Sequence, residues 1–196
     1  MRDIMYKQTD SIRVSLPDWL QRYDLPTQMP VNDMEAAMSL AIHLSELNVR
    51  HRTGGPFGAL VLNLNHGQLI SAAVNCVEAQ CCSSAHAEIM ALSLAQQRMG
   101  QWNLAETQYS PLTLITSCEP CAMCLGAIPW SGVSQIVCGA TKADAESAGF
   151  DEGARPNAWK EALLERGIDV VTEVCRAPAA KVLQEYAESG QTIYNP

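Results

Sequence analysis

An H-x-E motif that begins at His86 and a P-C-x-x-C motif that holds Cys121 and Cys124 constrain the fold of this chain more than any other feature. One imidazole and two thiolates can bind Zn²⁺ with three protein ligands and leave the fourth tetrahedral position to water. Zinc lowers the pKa of such a water towards neutrality, and a neighbouring carboxylate can then carry protons. His86 and Glu88 are two residues apart, so they do not share a helix face. We therefore expect a fold that brings the three ligands together around one catalytic zinc ion, with Glu88 beside it as an acid–base group.

Strand and helix patterns alternate along the chain after an opening hairpin. Two β-rich runs, residues 57–64 and 68–75, flank a short turn in which Gly67 accepts a positive φ. Later strands are predicted near residues 112–116, 135–138 and 169–174, and helices near residues 85–99, 120–129, 156–165 and 179–188. Such alternation implies right-handed crossovers and a sheet with helices on both faces. The predicted fold class is α/β, with three α/β/α layers and a mixed, mostly parallel sheet of about five strands.

Helix start signals place both motifs at helix N-termini that follow strands. Ser83 or Ser84 can cap the helix that bears His86, and Pro120 suits the first position of the helix with the two cysteines. The positive end of a helix dipole favours the thiolate form of cysteine, and open α/β sheets bind ligands at this edge. The first long helix is predicted to begin at Asn32, where a capping-box pattern starts.

Three residues near the cysteine motif have structural interpretations. Glu119 is an acid at the start of a helix, where it favours the helix dipole and needs no catalytic role. Trp130 follows the zinc helix and is interpreted as a packing residue rather than a pocket residue. Cys118 is interpreted as a buried thiol at a strand end.

Length and composition predict one domain in a reducing compartment. The 196 residues correspond to a single domain over residues 32–196, which includes a C-terminal helix and tail, and residues 1–31 form an irregular N-terminal extension packed on it. No apolar run approaches the ~18 residues of a membrane span, and the N-terminus lacks the apolar region of a secretory signal. Eight cysteines, two of them in the metal motif, favour a reducing compartment over a disulfide framework. We therefore expect a cytoplasmic protein without membrane partners.

The charge distribution argues against a nucleic-acid partner. The net charge is −8, and Arg98 is the only lysine or arginine between Thr53 and Thr141, the stretch that holds both motifs. Nucleic-acid affinity comes largely from neutralising phosphates with such residues, and a phosphate-bearing substrate would need a basic clamp. The site is therefore predicted to take a small, uncharged molecule.

Longer segments around the motifs carry a resemblance to a known family. They are Gly54–Ala59 (GGPFGA), Ala85–Glu88 (AHAE), Thr116–Ile128 (TSCEPCAMCLGAI) and Asp144–Glu152 (DAESAGFDE). With them the chain resembles the bacterial guanine deaminases of the zinc-dependent cytidine deaminase superfamily, over residues 34–165. Many base deaminases share the first three segments, whereas the Ala-Gly-Phe-Asp-acid stretch of the fourth is typical of guanine deaminases. The resemblance implies a cytidine-deaminase-like form of the predicted fold.

The same resemblance implies roles for individual residues. It assigns zinc coordination to His86, Cys121 and Cys124, and proton transfer to Glu88. It assigns hydrogen bonding of the base to Asn75 and contact with the plane of the base to Phe57. Glu152, at a position that is aspartate in some other members, is assigned purine recognition with help in proton transfer. The implied reaction is hydrolytic deamination of guanine, a free nucleobase, to xanthine and ammonia by zinc-activated water. Members of the family form dimers, some with exchanged C-terminal segments. We therefore expect a homodimer, with a role for Tyr194 or its neighbours in closing a pocket.

Other functions stay open at the level of the sequence. The same pocket would accept another small aminated heterocycle, of cytosine, cytidine or triazine type. A tRNA adenosine deaminase would need a basic face, and the scarcity of lysine and arginine around the motifs argues against one. A non-catalytic protein of this fold with structural zinc would have no use for Glu88.

Overall fold

A five-stranded sheet organises the part of the chain that the structure describes, residues 11–195 of a computed structural model. The strands are β1 (Gly58–Asn63), β2 (Gln68–Val74), β3 (Thr113–Cys118), β4 (Gln135–Ala140) and β5 (Asp169–Val171), in the order β2-β1-β3-β4-β5. The helices are α1 (Asp18–Gln21), α2 (Met34–His51), α3 (Val77–Gln80), α4 (Ala87–Met99), α5 (Ala122–Ser131), α6 (Lys142–Ser147), α7 (Trp159–Leu164) and α8 (Arg176–Glu188), with a 3₁₀ turn at Leu104–Glu106. None of these described helices combines the length and apolar character that crossing a membrane requires.

Four of the five strands run in one direction. β1 is antiparallel to both of its neighbours, β2 and β3, whereas β4 is parallel to β3 and β5 is parallel to β4. Helices α2 and α8 pack together on one face of the sheet, and α4 packs on the other face and against α5. All residues of β1 and β3 are buried because both faces are covered. The three-layer α/β/α fold with a mixed, mostly parallel sheet of five strands is confirmed.

The predicted hairpin is present, and the N-terminal segment covers its outer edge. β1 and β2 pair along their length, and the turn contains Gly67 with a φ of +68°. The backbone of residues 27–29 hydrogen-bonds to the backbone of Gly67 and Leu69 at 2.6 and 3.3 Å. Arg98 adds a side-chain hydrogen bond to the carbonyl of Ile70 at 2.7 Å. These contacts occupy backbone groups of an edge strand that would otherwise be open to pairing with another chain.

Residues 11–31 lie against the domain, and residues 1–10 of the predicted extension lie outside the described range. Leu20 of α1 is buried, and the Trp19 ring stacks on His51 at the end of α2, with ring centroids 5.2 Å apart. The indole N–H of Trp19 also donates to Thr53 Oγ1 at 2.9 Å. This segment therefore contacts the C-terminal end of α2, which is followed by the glycine pair Gly54 and Gly55.

Helix α2 begins at Met34 rather than at the predicted Asn32. Asn32 has a φ of +54°, a left-handed turn conformation that a helix cannot continue. The N-cap is Asp33, whose carboxylate accepts a hydrogen bond from the Ala36 N–H at 2.8 Å. The predicted capping box is therefore wrong, and a simpler aspartate cap takes its place.

The helices of the two motifs are capped by motif residues. His86 is the N-cap of α4, so the predicted caps Ser83 and Ser84 lie before the helix. Cys121 is the N-cap of α5, so Pro120 precedes the cap instead of opening the helix. Both predictions are wrong, because His86 and Cys121 have extended backbone that delays the first helical residue. The prediction that both motifs lie at helix N-termini holds.

Short helices do not show in the sequence patterns. α6 has six residues, too few for a hydrophobic period, although Thr141 and Asp144 form a capping box at its start. It occupies the interval between β4 and the loop that carries Glu152. Cys118, the last residue of β3, is buried as interpreted. The ends of the other predicted strands and helices differ from the observed ends by up to three residues.

Candidate active site

Three metal-ligating side chains meet at the N-termini of α4 and α5. His86 caps α4, Cys121 caps α5, and Cys124 lies in the first turn of α5. Their ligand atoms all lie within 4.8 Å of one another, and His86 Nδ1 is 3.5 Å from Cys121 Sγ. Zinc bound tetrahedrally at about 2.3 Å from sulfur and about 2.0 Å from nitrogen would separate two such ligands by about 3.5 Å. The donor set and its spacing therefore fit zinc with one open coordination position.

The pKa values of the two cysteines of the site are shifted in opposite directions. The pKa of Cys121 is lowered to about 4 by a hydrogen bond from the Cys124 thiol; burial opposes this shift and a hydrogen bond from His86 adds to it. The shared hydrogen bond and burial raise the pKa of Cys124. For His86, burial lowers the pKa, but Cys121 and Glu88 raise it by more. Because zinc binds cysteine as thiolate, a bound zinc ion would favour the ionised form of both cysteines.

Two buried carboxyl groups flank the metal ligands. Glu88, in the first turn of α4, is 6% exposed, and burial together with the nearby Cys121 thiolate raises its pKa to about 7. Glu152, in the loop after α6, is 5% exposed, and burial together with the charges of Cys121 and Glu88 raises its pKa to about 8. Carboxyl groups with such pKa values can both accept and donate protons near neutral pH. The site thus holds two candidate proton carriers.

A cavity of about 540 Å³ opens in front of these groups, a size typical of small-molecule sites. Six of the seven predicted site residues line it: Phe57, Asn75, His86, Glu88, Cys121 and Glu152. Cys124, the seventh, is fully buried within α5. None of the described residues that line the cavity is a lysine or an arginine.

Asn75 follows β2 and presents a fixed amide to the cavity. Its side chain is fully buried, and Oδ1 accepts hydrogen bonds from the backbone N–H groups of Gly55 and Val77, each at 3.3 Å. Its Nδ2 donates to the hydroxyl of Tyr194 at 2.6 Å. Because Oδ1 is held by two donors, the NH₂ group is the part of the amide that remains to bind a ligand.

The aromatic rings of Phe57, Phe150 and Tyr194 form one wall of the cavity. Phe57 and Phe150 meet edge to face with centroids 4.9 Å apart, and Phe150 meets Tyr194 at 5.8 Å. Tyr194 also contacts the ring of His86 edge to face at 5.9 Å. The wall therefore gives a planar ligand an apolar surface next to the metal site. Phe150 lies within the fourth family-like segment but was not assigned to the site from the sequence.

The C-terminal tail lines the cavity of its own chain. Asn195 Oδ1 accepts from the Asp151 N–H at 3.0 Å, and Asn195 Nδ2 donates to the Gly149 carbonyl at 2.7 Å. The Tyr186 hydroxyl donates to the carbonyl of Thr192 at 2.5 Å. These hydrogen bonds hold the tail so that Tyr194 lines the cavity.

Comparison with known proteins identifies the family of this zinc-site architecture. The sequence profile described as the cytidine and deoxycytidylate deaminase zinc-binding region matches residues 31–140. The chain belongs to this deaminase family. The matched region contains all three metal-ligating residues, and the prediction of a zinc cofactor is confirmed.

Within the deaminase family, the chain is similar to guanine deaminases, as the sequence segments predicted. The curated guanine deaminase of Bacillus subtilis (strain 168) is 36% identical over 118 residues, which cover 60% of this chain and 71% of that protein. The solved structure of guanine deaminase from Nitrosomonas europaea has a TM-score of 0.86 and 40% identity, and the match covers 92% of this chain and 98% of that one. A guanine deaminase variant in complex with 8-azaguanine has a TM-score of 0.87 and 40% identity, covering 93% and 99% of the two chains.

A buried ion pair in this deaminase was not predicted from the sequence. Arg155 Nη2 donates to Glu119 Oε2 at 2.7 Å, and the two side chains are 6% and 8% exposed. Arg155 also donates to the carbonyl of Pro120 at 3.1 Å, and the Glu152 carbonyl accepts from the Ala122 N–H at 3.0 Å. The interpretation of Glu119 as an acid beside a helix dipole misses this pair, because no short-range pattern signals a partner 36 residues away. Together, these contacts attach the Glu152 loop to residues on both sides of Cys121.

Helix α5 carries an apolar surface, which we define by Met123, Gly126 and Trp130. Met123 and Trp130 are 40% and 78% exposed, and open space lies above Gly126. The spacing of these residues places them on one face of the helix. Trp130 does not line the cavity, in agreement with the prediction that it is not a pocket residue. Its interpretation as a packing residue is wrong for the single chain, because the side chain is exposed.

Proposed function

We propose that this deaminase hydrolyses guanine to xanthine and ammonia with zinc as its metal. The observation that carries the proposal is a cavity in which Glu88 and Glu152 lie beside a His-Cys-Cys zinc site and the fixed amide of Asn75. The 40% identity to a guanine deaminase over 92% of this chain supports the same reaction. The absence of lysine and arginine among the described lining residues favours a neutral base over a nucleotide.

Proton transfer is the task of the two carboxyl groups. Zinc, when bound by the His-Cys-Cys set, supplies Lewis-acid activation of water. Glu88 takes a proton from the water and delivers it to N3 of the purine while the hydroxyl group adds to C2. Glu88 then takes the proton of the added hydroxyl group and, with help from Glu152, passes it to the amino group. The C2–N bond breaks as the C2 carbonyl of xanthine forms. One water is consumed and one ammonia released per guanine, and a pKa of Glu88 near 7 suits both transfers.

Asn75 supports the choice of guanine over adenine. Its NH₂ group is a donor, and one of its hydrogens is free of the bond to Tyr194. Guanine presents a carbonyl oxygen at C6, which accepts such a hydrogen bond, whereas adenine presents an amino group there. Phe57 then lies against the plane of the base as part of the aromatic wall.

Structures of the relatives agree with a purine-sized pocket. The guanine deaminase relatives have been solved with 8-azaguanine and with 2,6-diaminopurine. In the complexes with 8-azaguanine an asparagine or a glutamate of the relative has been replaced, the same residue types as Asn75 and Glu152. These complexes support roles in base recognition for the two residues here.

The alternative substrates find less support. A tRNA-specific adenosine deaminase of Bacillus subtilis (strain 168) is 32% identical over 67% of this chain and 74% of its own length. RNA binding depends on basic side chains, yet Arg98 is engaged at the edge of β2 and Arg155 is paired with Glu119. A structural zinc site would leave the buried carboxyl groups without a purpose. Another small aminated heterocycle stays as the second candidate.

Ammonia release tests the proposed function. Zinc-loaded protein is incubated with guanine, guanosine, adenine, cytosine, cytidine and an aminated triazine, and Glu88→Gln serves as the blank. We expect turnover of guanine and little or none of the others. Turnover of a different member of the panel with guanine untouched would discard the substrate and keep the zinc chemistry.

We also propose a homodimer formed through the α5 surface. An exposed tryptophan and methionine on one helix face are typical of protein interfaces. Light scattering coupled to size exclusion is expected to give twice the chain mass of 21.3 kDa for the wild type and a lower mass for Trp130→Ser. A monomeric wild type would overturn this proposal. To test exchange of C-terminal segments, two preparations with different labels on the C-terminal tail are mixed and examined in the same way.

A cytoplasmic location and a single catalytic domain complete the proposal. None of the eight cysteines, all within the described residues, is paired in a disulfide, which favours a reducing compartment. Residues 32–196 are proposed as the deaminase domain and residues 1–31 as its extension, with the contacts of residues 11–31 in support. Fractionation of the source cells and limited proteolysis test the two statements.

A further inference from the structure

A chain of hydrogen bonds, partly buried at Trp19 and Thr53 and fully buried at Asn48, joins the N-terminal extension to Asn75. The Trp19 indole N–H donates to Thr53 Oγ1 at 2.9 Å, and the Thr53 hydroxyl donates to Asn48 Oδ1 at 2.6 Å. Asn48 Nδ2 then donates to the backbone carbonyls of Gly55 and Asn75, each at 2.9 Å. The chain runs from α1, across the C-terminal turn of α2, to the residue whose amide faces the base.

Asn48 is the central member of this chain. Its side chain is fully buried, and both N–H groups and the carbonyl oxygen of its amide are used. A buried amide that loses a partner costs more free energy than the hydrogen bond contributes. Asn48 therefore holds the two carbonyls at fixed positions as long as Thr53 fixes its own orientation.

Gly55 passes this constraint to the side chain of Asn75. Its carbonyl accepts from Asn48, and its N–H donates to Asn75 Oδ1 at 3.3 Å. The segments approach so closely that a Cβ at Gly54 would lie 2.1 Å from the Asn75 carbonyl oxygen. A Cβ at Gly55 would lie 2.9 Å from the ring of Tyr194. The glycine pair is thus needed for close packing between these segments.

We propose that Asn48, Thr53 and Trp19 are positioning residues that orient the Asn75 amide towards the base. The N-terminal extension contributes to substrate affinity through this chain, without touching the substrate. The inference rests on the proposed function for the identity of the base. The hydrogen bonds themselves are present in the protein without a ligand.

Removal of the Thr53 hydroxyl tests the proposal. Thr53→Val keeps the shape of the side chain but leaves the Trp19 indole and Asn48 Oδ1 without their partner. We expect KM for guanine to rise about three- to ten-fold, the effect of one buried hydrogen bond, with kcat within about two-fold and zinc content unchanged. Thr53→Ser, which restores the hydroxyl, is expected to restore KM.

Two further variants separate positioning from stability. Ser45→Ala removes another buried hydrogen bond of α2, from Ser45 Oγ to the Ile42 carbonyl at 2.7 Å, and is expected to leave KM unchanged. Trp19→Phe keeps the ring but loses the N–H and is expected to raise KM by about two-fold. An unchanged KM in Thr53→Val, with only a lower melting temperature, would show a merely structural role and overturn the proposal.

Hydrogen exchange of the protein without substrate gives a readout that does not depend on guanine. The backbone amides of residues 54, 55, 57, 58 and 75–77 are expected to exchange faster in Thr53→Val than in the wild type or Ser45→Ala. Equal exchange in all three proteins would overturn the positioning role. If the wild type leaves guanine untouched, the proposed function fails, and the exchange experiment still decides the fate of the hydrogen-bond chain.

Discussion

The cavity has two halves that the fold builds in different ways. The zinc half consists of His86, Glu88, Cys121 and Cys124, and the recognition half of Phe57, Asn75, Phe150, Glu152 and Tyr194. Two helix N-termini supply the whole zinc half, and its residues come from two motifs of a few residues each. A hairpin end, a loop and the C-terminal tail supply the recognition half.

This difference separates chemistry from substrate choice. The zinc half depends on local backbone geometry, since each ligand lies at or next to a helix cap. The recognition half depends on contacts between distant parts of the chain, such as the hydrogen bond between Asn75 and Tyr194, 119 residues apart. Substitutions in the first half are therefore expected to lower kcat, and most substitutions in the second to raise KM.

Glu88→Gln is the strongest test of the zinc half. The amide keeps the shape but cannot carry protons, so kcat is expected to fall by about 10³-fold or more while one zinc ion per chain is retained. Ammonia release and metal analysis measure the two quantities. Glu185→Gln, at an exposed position of α8, is the control. A wild-type kcat in Glu88→Gln would show that Glu88 is not the proton carrier.

Arg155→Met tests the Arg155–Glu119 ion pair, which connects the zinc half to the Glu152 loop of the recognition half. It leaves the Glu119 carboxylate buried without its partner, and the free energy of unfolding is expected to fall by about 3–5 kcal/mol. Urea unfolding at constant zinc concentration measures the loss. Arg155→Met combined with Glu119→Gln is expected to recover much of it, because no unpaired charge remains. A single variant as stable as the exposed control Arg166→Met would contradict the role of the ion pair.

Tyr194→Phe sharpens the view of the recognition half. It removes the hydroxyl that accepts from Asn75 Nδ2 and keeps the aromatic wall. KM for guanine is expected to rise about two- to ten-fold with kcat nearly unchanged. Steady-state kinetics measure both, with Tyr109→Phe, outside the cavity, as the matched control. A loss confined to kcat would place Tyr194 with the zinc half instead.

The smallest expected effect concerns the helix that leads into the Glu152 loop. A hydrogen bond from Arg176 lowers the pKa of Asp144, the acid of the α6 capping box, to about 2. Because this pKa is below the ordinary value of about 3.9, ionised Asp144 stabilises the fold above pH of about 4, and this contribution is lost as the pH falls towards about 2. Arg176 is largely exposed, so solvent screening keeps the effect small.

Thermal unfolding of Arg176→Gln and the wild type across this pH range measures the contribution. The difference between their melting temperatures is expected to be present at pH 7 and to shrink between about pH 4 and about pH 2. A difference that stays constant over the whole range would show that the pair acts through packing instead of charge.

The zinc half could be predicted from the sequence because its residues lie in two short motifs with characteristic spacing. Cys121 and Cys124 are three residues apart, and His86 lies two residues before Glu88, so residue types and helix geometry sufficed. The helix starts were misplaced because histidine and cysteine are unusual N-caps. N-cap preferences favour the nearby serines, and Pro120 is typical of the first helical position.

The recognition half and its supports depended on the family resemblance or were missed. Asn75, Phe57 and Glu152 entered through resemblance, since one asparagine or phenylalanine has no pattern of its own. Arg155 and Asn48 have partners that only the tertiary structure brings near, and no periodicity marks them. The three layers and the mostly parallel sheet could be predicted because strand and helix patterns alternate along the chain. The strand order came only from the structure.

Xanthine formation before and after metal removal tests the central claim most directly. Guanine is given to zinc-loaded protein, to protein stripped by a chelator, and to stripped protein to which zinc is restored. The account predicts one xanthine per ammonia in the loaded protein, none in the stripped protein, and recovery when zinc returns. No xanthine from a folded protein with one zinc per chain, or undiminished xanthine after zinc is removed, would contradict it.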